Sequence, residues 1–491
     1  MTPPDPWAVG RAHELSVTGE ERTARGAWYT PRLIAESIVE MALGHTDERW
    51  LPSFVVDPTC GGGAFLLATL DQMVIRGLDP PEALDRVAGM DIDRGAVEAS
   101  QRSLELWAEA NGVDRSLVNT RRQILVGDAL DDWPDHWPEA DLAIGNPPFA
   151  TPLKGDAFPE SANRVRLANT DVLGPYADLA AIHLLNAVSR VNPTSGRVCL
   201  VLPQSLAAGR DSGALRAHLD SVAPPVRVWA TADRVFDAGV RVFAPALQAG
   251  NSTPVQTESW AELIAHELGA PSVVLSEETG TVADLAVTTA GFRDEYYGLA
   301  SACVEGDPDD TRPRLATVGS IDPLETSWGL EVTRFAKSRW LRPVVNLDDL
   351  PEKVRGWADR QLVPKILLPT QSKIFEPFVD RSGSVLPVTP VLAVHAAEED
   401  LDRIAAVLLA PPVVAWAYRR WFGTALSVNA IKLAAKDVGQ LPLPVDLDSW
   451  GQAADLVGLG PSAVPEIGRL MTKSYEADPE LFEWWLNRLD R

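Results

Sequence analysis

Residues 141–149 read Asp-Leu-Ala-Ile-Gly-Asn-Pro-Pro-Phe, and Asn146-Pro147-Pro148-Phe149 carries the most specific chemistry in the chain. Asn146 brings a side-chain carbonyl, Pro147 a backbone carbonyl constrained by the proline pair, and Phe149 an aromatic face. Two oxygen acceptors beside a flat apolar surface are suited to gripping a planar exocyclic amino group while a methyl group is placed on its nitrogen. The apolar run 141–145 predicts a buried strand. The tetrapeptide would then sit at a strand end, where open α/β sheets present their ligands. Taken alone, an Asn before two prolines is also an ordinary turn.

A second group of residues lies upstream. Asp57-Pro58-Thr59-Cys60-Gly61-Gly62-Gly63 follows a short apolar run and precedes a helical stretch. Three successive glycines let a backbone approach a ligand without Cβ obstruction. The loop is neither G-x-G-x-x-G nor G-x-x-x-x-G-K, and no lysine follows it to meet a triphosphate. Asp57 suits a cationic amino-acid moiety instead. Asp91, ending the next apolar run, could accept from two ribose hydroxyls. Asp128, after the third run, could accept from an adenine amino group. Each aspartate alone also fits a cap or a turn, and Asp93 fits a helix cap. In order at three strand ends, ahead of Asn146, they form one ligand-shaped row.

These side chains need a scaffold, and short apolar runs alternating with helical stretches from residue 53 to 250 predict one. The expected strands are 53–57, 86–91, 123–126, 141–145, 197–202, 226–231 and 240–248, with helices over 64–76, 94–111 and 177–191. The last run follows the one before it too closely for a helical crossover, which predicts an antiparallel final strand. A preface over 20–45 ends in a helix, with Thr30 as its N-cap and Pro31 in its first turn.

Composition narrows the class further. The chain has 491 residues, enough for two or three cores, and no apolar run of membrane-spanning length. Cys60, Cys199 and Cys303 are far apart and lack metal-ligand spacing, which points to a reducing cytoplasm and no structural zinc. The N-terminus lacks the pattern of a secretory signal. A net charge of −24 argues against broad adhesion to nucleic acid. Yet residues 334–381 carry ten Lys/Arg against six Asp/Glu, and residues 403–436 carry five basic residues and no acid. A confined basic surface is what a selective phosphate-contacting module needs. Ordinary solvated charge would read the same way.

The ordered series resembles S-adenosylmethionine-dependent DNA methyltransferases of the adenine-N6 type, with the gamma order of motifs. The resemblance rests on Gly26-Ala27-Trp28-Tyr29-Thr30-Pro31, the glycine loop, the aspartate row and Asn146–Phe149. It extends more loosely to Leu368-Pro369-Thr370-Gln371, Phe422-Gly423-Thr424-Ala425-Leu426 and Leu441-Pro442-Leu443-Pro444. It implies an α/β fold, a seven-stranded Rossmann-like methyltransferase sheet with a C-terminal mixed α/β target-recognition domain. The implied layout is a methyltransferase domain over 1–250, an acidic connector over 251–310, a DNA-binding domain over 311–445 and a helical tail over 446–491. S-adenosylmethionine would be held by Tyr29, Thr30, Asp57, Thr59, Cys60, Gly61, Asp91 and Asp128. Asn146, Pro147, Pro148 and Phe149 would act on a flipped adenine of double-stranded DNA. Phe236 matches the position that stacks on its second face, although a core Phe beside a hairpin fits the same site. Relatives often carry Tyr at the Phe149 position, and Phe keeps the stacking face.

Candidate DNA contacts are Arg334, Lys337, Arg339, Lys353, Lys373, Arg419, Arg420 and Lys432. No metal and no membrane are expected, and the location is cytoplasmic, on the nucleoid. Two alternatives stand beside this reading: a methylase of a protein glutamine or an RNA amine, and an idle DNA-binding modification subunit. With 28 residues ahead of Tyr29 and residues 251–491 after the sheet, the layout favours DNA. The same layout leaves no room for a nuclease ahead of Tyr29. The expectation is therefore methylation without cleavage, as a solitary enzyme or beside a separate restriction or defence subunit.

Overall fold

The computed structural model describes residues 5–16, 30–44, 50–131, 133–150, 158–231, 233, 235, 240–250, 259–276, 278–291, 293–422 and 430–489. Tyr29, Phe236 and the stretch 423–426 lie outside the described residues. The chain divides into two units, Met1–Leu268 and Gly269–Arg491.

In the first unit the strands are β1 (Val55–Asp57), β2 (Val87–Asp91), β3 (Ile124–Val126), β4 (Leu142–Gly145), β5 (Arg197–Leu200), β6 (Leu202–Pro203), β7 (Pro225–Ala230) and β8 (Val242–Gln248). Every residue of β1, β4 and β5 is buried, as a strand covered on both faces requires. The sheet runs β3-β2-β1-β4-β5-β8-β6, with β7 pairing β8. Strands β3, β2, β1, β4 and β5 are mutually parallel, and β8 is antiparallel to β5, β6 and β7. The sequence predicts seven strands; the structure has eight segments, because the fifth run breaks at Val201 into β5 and β6.

Four helices matter for the site: α1 (Pro6–Ser16), α2 (Arg32–Leu43), α3 (Ala64–Ile75) and α4 (Arg94–Ala110). Helix α2 buries Ala35, Ile38, Val39, Ala42 and Leu43, spaced to form one stripe. Asp93 caps α4 by accepting from the Gly95 and Ala96 N–H groups. The cap expected at Thr30 is absent. Pro31 holds the N-cap position, and the Thr30 hydroxyl is engaged elsewhere. Helix α1, whose apolar pattern is too weak to predict it from sequence, packs on α3 and α4.

In the second unit an antiparallel sheet runs Phe378–Asp380, Lys365–Pro369, Val391–Ala396, Ala286–Ala290. A second sheet joins Cys303–Glu305, Pro343–Val345, Arg314–Ala316 and Val385–Pro387. Its helices include Arg293–Ala302, Glu352–Gln361, Glu398–Leu409, Pro411–Trp421, Leu447–Leu456, Val464–Ser474 and Glu480–Leu489. Residues 251–310, expected as a connector, are shared out: Trp260–Glu267 falls in the first unit, and Ala286–Ala290 is an edge strand of the second. Among the described residues no single helix is long and apolar enough to cross a membrane.

Candidate active site

Strand order reverses between β1 and β4: from β1 the chain adds β2 and β3 on one side, then returns to lay β4 on the other. Ligands of open α/β sheets bind at the carboxyl ends of strands flanking such a reversal. Asp57 ends β1, Asp91 ends β2, Asp128 follows β3, and Asn146 follows β4. The fold therefore gathers at one sheet edge the groups that lie up to 89 positions apart between Asp57 and Asn146.

Asp57 is the centre of this row. It is 1% exposed, and its Oδ1 accepts from the Thr59 N–H at 3.0 Å. Burial pushes its carboxyl up to about 8, and the nearby Asp91 charge adds to this while the Thr59 N–H opposes it. Across the sheet, a Cβ on Gly145 would lie 2.3 Å from Asp57 Oδ1. Only glycine lets the carboxylate lie against β4, one residue before Asn146. The aspartate row thus touches the strand end that leads into the Asn-Pro-Pro-Phe turn.

Asp91 holds the loop in shape. Its Oδ2 accepts from Gly61 N–H at 3.0 Å and its Oδ1 from Asp93 N–H at 2.9 Å. The Cys60 N–H donates to the Met90 carbonyl at 2.9 Å, tying the loop to β2. Burial raises the Asp91 carboxyl and, more strongly, the Cys60 thiol, which keeps that cysteine protonated and unreactive. Asp128 accepts from the Leu130 N–H at 2.9 Å and from the Ser161 hydroxyl at 2.6 Å. Ser161 was not legible in the sequence, since it lies 33 positions downstream with no motif around it.

The three glycines differ in what lies on their Cβ side. Gly61, at φ +49°, has open space on its Cβ side. Gly62 faces α1 rather than a ligand: a Cβ there would sit 2.4 Å from Gly10 Cα. Gly63, at φ +88°, packs against Ser100 and Leu104 of α4. Open space beside the loop backbone is therefore found at Gly61, while Gly62 and Gly63 meet helices α1 and α4.

Thr30 and Asn146 meet across 116 positions, with Asn146 Nδ2 donating to Thr30 Oγ1 at 3.2 Å. Thr30 is 3% exposed. With Nδ2 toward the threonine, the amide carbonyl of Asn146 points the other way. Phe149 is partly buried against the core of the unit, and the Ala150 carbonyl accepts from Leu179 N–H at 2.8 Å, anchoring the turn.

Whether these groups fit the cofactor expected from sequence can be judged from what they lack. Among the described residues Asp57 has no cationic partner. Thr59 Oγ1 is buried without a hydrogen-bond partner. A desolvated carboxylate and an unsatisfied hydroxyl beside an open glycine are complementary to a ligand with an ammonium group and hydroxyls.

The candidate DNA contacts separate by exposure. Arg334, Lys337 and Arg339 stand exposed on one hairpin, Thr333–Phe335 paired with Ser338–Trp340. Lys432 is exposed, and Arg420 is exposed with its guanidinium 4.2 Å above the Trp416 ring. Lys353 pairs with Asp294 at 2.8 Å, and Lys373 is half-buried. Arg419 is a correction: it is buried and donates to the Ala270 carbonyl, so its side chain is turned into the unit rather than to solvent.

Against known proteins, a family model described as N-6 DNA Methylase matches residues 9–221. The type II methyltransferase M.BstVI of Geobacillus stearothermophilus is 29% identical over 147 residues, covering 27% of this chain and 26% of that protein. The match spans about a quarter of the length of that curated relative. Among solved structures, the Type IIL restriction-modification enzyme MmeI in complex with DNA superposes with a TM-score of 0.60 at 13% identity. That match covers 99% of this chain and 81% of MmeI. The DrdV–DNA complex gives 0.51 at 11% identity over 93% and 60% of the two chains. At these identities the likeness is one of fold.

Proposed function

We propose that this chain, whose residues 9–221 belong to the N-6 DNA methylase family, is a DNA methyltransferase that methylates N6 of an adenine in duplex DNA. The observation that carries the reading is the contact between the Asp57 carboxylate and the strand end that bears Asn146. Donor-binding and acceptor-binding groups share one edge of one sheet. S-adenosylmethionine, when bound, supplies a methyl group already activated by its sulfonium. Asp57, Thr59, Gly61, Asp91 and Asp128 would hold it, Asp57 taking the ammonium and Asp91 the ribose hydroxyls. Tyr29 belongs to this set by sequence alone.

The amino group of adenine is a weak nucleophile because its lone pair is delocalised into the ring. Inside a duplex it also cannot reach a pocket at a sheet edge. The base must be turned out of the stack, which costs a few kcal/mol. Asn146 Oδ1 and the Pro147 carbonyl then accept the two N6 hydrogens, hold the nitrogen in line and favour its lone pair as positive charge develops. Pro148 stiffens the turn, and Phe149 offers a stacking face that replaces the lost neighbours. Thr30, by binding Asn146 Nδ2, keeps the carbonyl end of the amide toward the base.

The test is incubation of the full chain with methyl-labelled S-adenosylmethionine and either unmethylated genomic DNA or a ribosomal extract. Label should enter DNA as N6-methyladenine. Label in ribosomal protein or RNA would instead mark an enzyme of another substrate class. Asn146→Ala should bind cofactor normally and lose methyl transfer on the order of 1,000-fold. Near-normal turnover would remove Asn146 from the chemistry.

A further inference from the structure

The hairpin Thr333–Phe335/Ser338–Trp340 combines three observations. Its inward side chains are anchored: Phe335 is buried in the unit's core, edge-on to Tyr296, and Thr333 hydrogen-bonds Thr317. The Trp340 indole N–H donates to the Phe335 carbonyl at 3.1 Å, closing the ribbon on itself. Its outward side chains are cationic: Arg334 lies directly opposite Arg339, and Lys337 stands at the turn with φ +65°. Among the described residues none of the three meets a carboxylate. Glu331 is the one acid between residues 330 and 342.

Like charges directly opposite on a two-stranded ribbon destabilise it. A left-handed Lys in a tight turn is also an unfavoured choice where Gly or Asn would fit. The ribbon keeps both features on a chain whose net charge is −24, while Lys353 in the same unit is paired with Asp294. A rigid ribbon with a doubled arginine and a cationic tip is complementary to a polyanion with a cleft of ribbon width. The major groove of duplex DNA admits a two-stranded ribbon, and arginine there reads guanine through O6 and N7.

We propose that this hairpin enters the major groove of the DNA substrate, with Arg334 and Arg339 reading base edges and Lys337 meeting phosphate. The assignment rests on the DNA methyltransferase reading above. It goes further by naming the reading element and the kind of contact each residue makes.

The experiment is sequencing of N6-methyladenine sites left in unmethylated genomic DNA by the full-length parent, by Arg334→Gln, by Arg339→Gln and by Lys337→Gln. Cofactor binding and thermal melting serve as checks on folding. The side chains are exposed, so all variants should fold and bind cofactor as the parent does. Arg334→Gln and Arg339→Gln should each relax the methylated sequence at one position, with preference there falling about tenfold. Lys337→Gln should keep the sequence, weaken DNA binding uniformly and lower the salt slope by about one. An unchanged site set in both arginine variants, whether at full or at uniformly lower occupancy, would place the hairpin away from the bases and overturn the proposal. A parent that leaves no methyladenine would overturn the functional reading itself, which is a different result.

Discussion

Asp57 in the first unit and Asp380 in the second are both buried at the end of a strand, yet their surroundings are opposite. Asp380 lies in register with Lys365 on the neighbouring strand and takes its ammonium at 2.7 Å. The Ser382 hydroxyl and the Ser384 and Val385 N–H groups supply the rest of its hydrogen bonds. Asp57 receives one backbone N–H, faces a second carboxylate and has no cation among the described residues. A buried carboxyl without a partner costs several kcal/mol to ionise, and such a group marks a place where something outside the fold can answer the charge. The answered carboxylate holds structure together. The unanswered one is the candidate binding site.

The largest effect that could break this contrast lies in the second unit. Lys365→Ala should destabilise it by roughly 3–5 kcal/mol by stranding the Asp380 charge, and should leave cofactor affinity unchanged. Lys365→Met combined with Asp380→Leu should recover most of that loss, since an apolar pair of similar volume escapes desolvation. Urea unfolding of the full chain measures both. A single variant that unfolds like the parent would mean that Asp380 needs no cation.

The matching change at Asp57 should behave in reverse. Asp57→Asn should weaken cofactor binding on the order of 100-fold, the loss of one charge-assisted pair, without lowering the melting temperature. Calorimetry reads the first quantity and thermal melting the second. A variant that melts well below the parent while binding normally would make Asp57 a structural residue like Asp380.

Between these two sites the reading of sequence succeeded and failed for separable reasons. Strand ends and the motifs on them were legible because apolar runs and glycine loops are local patterns: β1 through β5 begin and end within two residues of expectation, apart from the break at Val201. Contacts made across long separations were not. Nothing local links Thr30 to Asn146 or Asp128 to Ser161, and nothing local matches Gly62 to its neighbour Gly10, which belongs to a helix with a weak apolar stripe. Charge alone also could not sort the basic residues. Arg419 and Arg420 are adjacent, and the helix turns one inward and the other to solvent.

The Thr30 contact gives a smaller test of the same contrast, because it asks whether a residue expected to touch cofactor acts instead on the catalytic amide. Thr30→Val should lower kcat about tenfold, the weight of one hydrogen bond, with cofactor affinity nearly unchanged. Thr30→Ser, which restores the acceptor, should recover most of the rate. A loss confined to cofactor affinity would return Thr30 to the cofactor set.

The last test is a pH dependence that only the unanswered carboxylate should show. Asp57 ionises near its usual 3.8 in the unfolded chain and at about 8 in the folded one. The folded state therefore binds this proton more tightly, and its contribution to stability is complete below pH 3.8 and is lost as pH rises through about 8. In the absence of cofactor, the parent should lose stability relative to Asp57→Asn between pH 5 and about 8. S-adenosylhomocysteine, which also carries an ammonium group, should flatten that difference by supplying the missing charge and displacing the proton. Its binding at pH 7 should accordingly release a proton, seen as a heat that changes with the ionisation enthalpy of the buffer. Parallel stability curves for parent and variant, with no buffer dependence, would mean that Asp57 is already ionised and already answered.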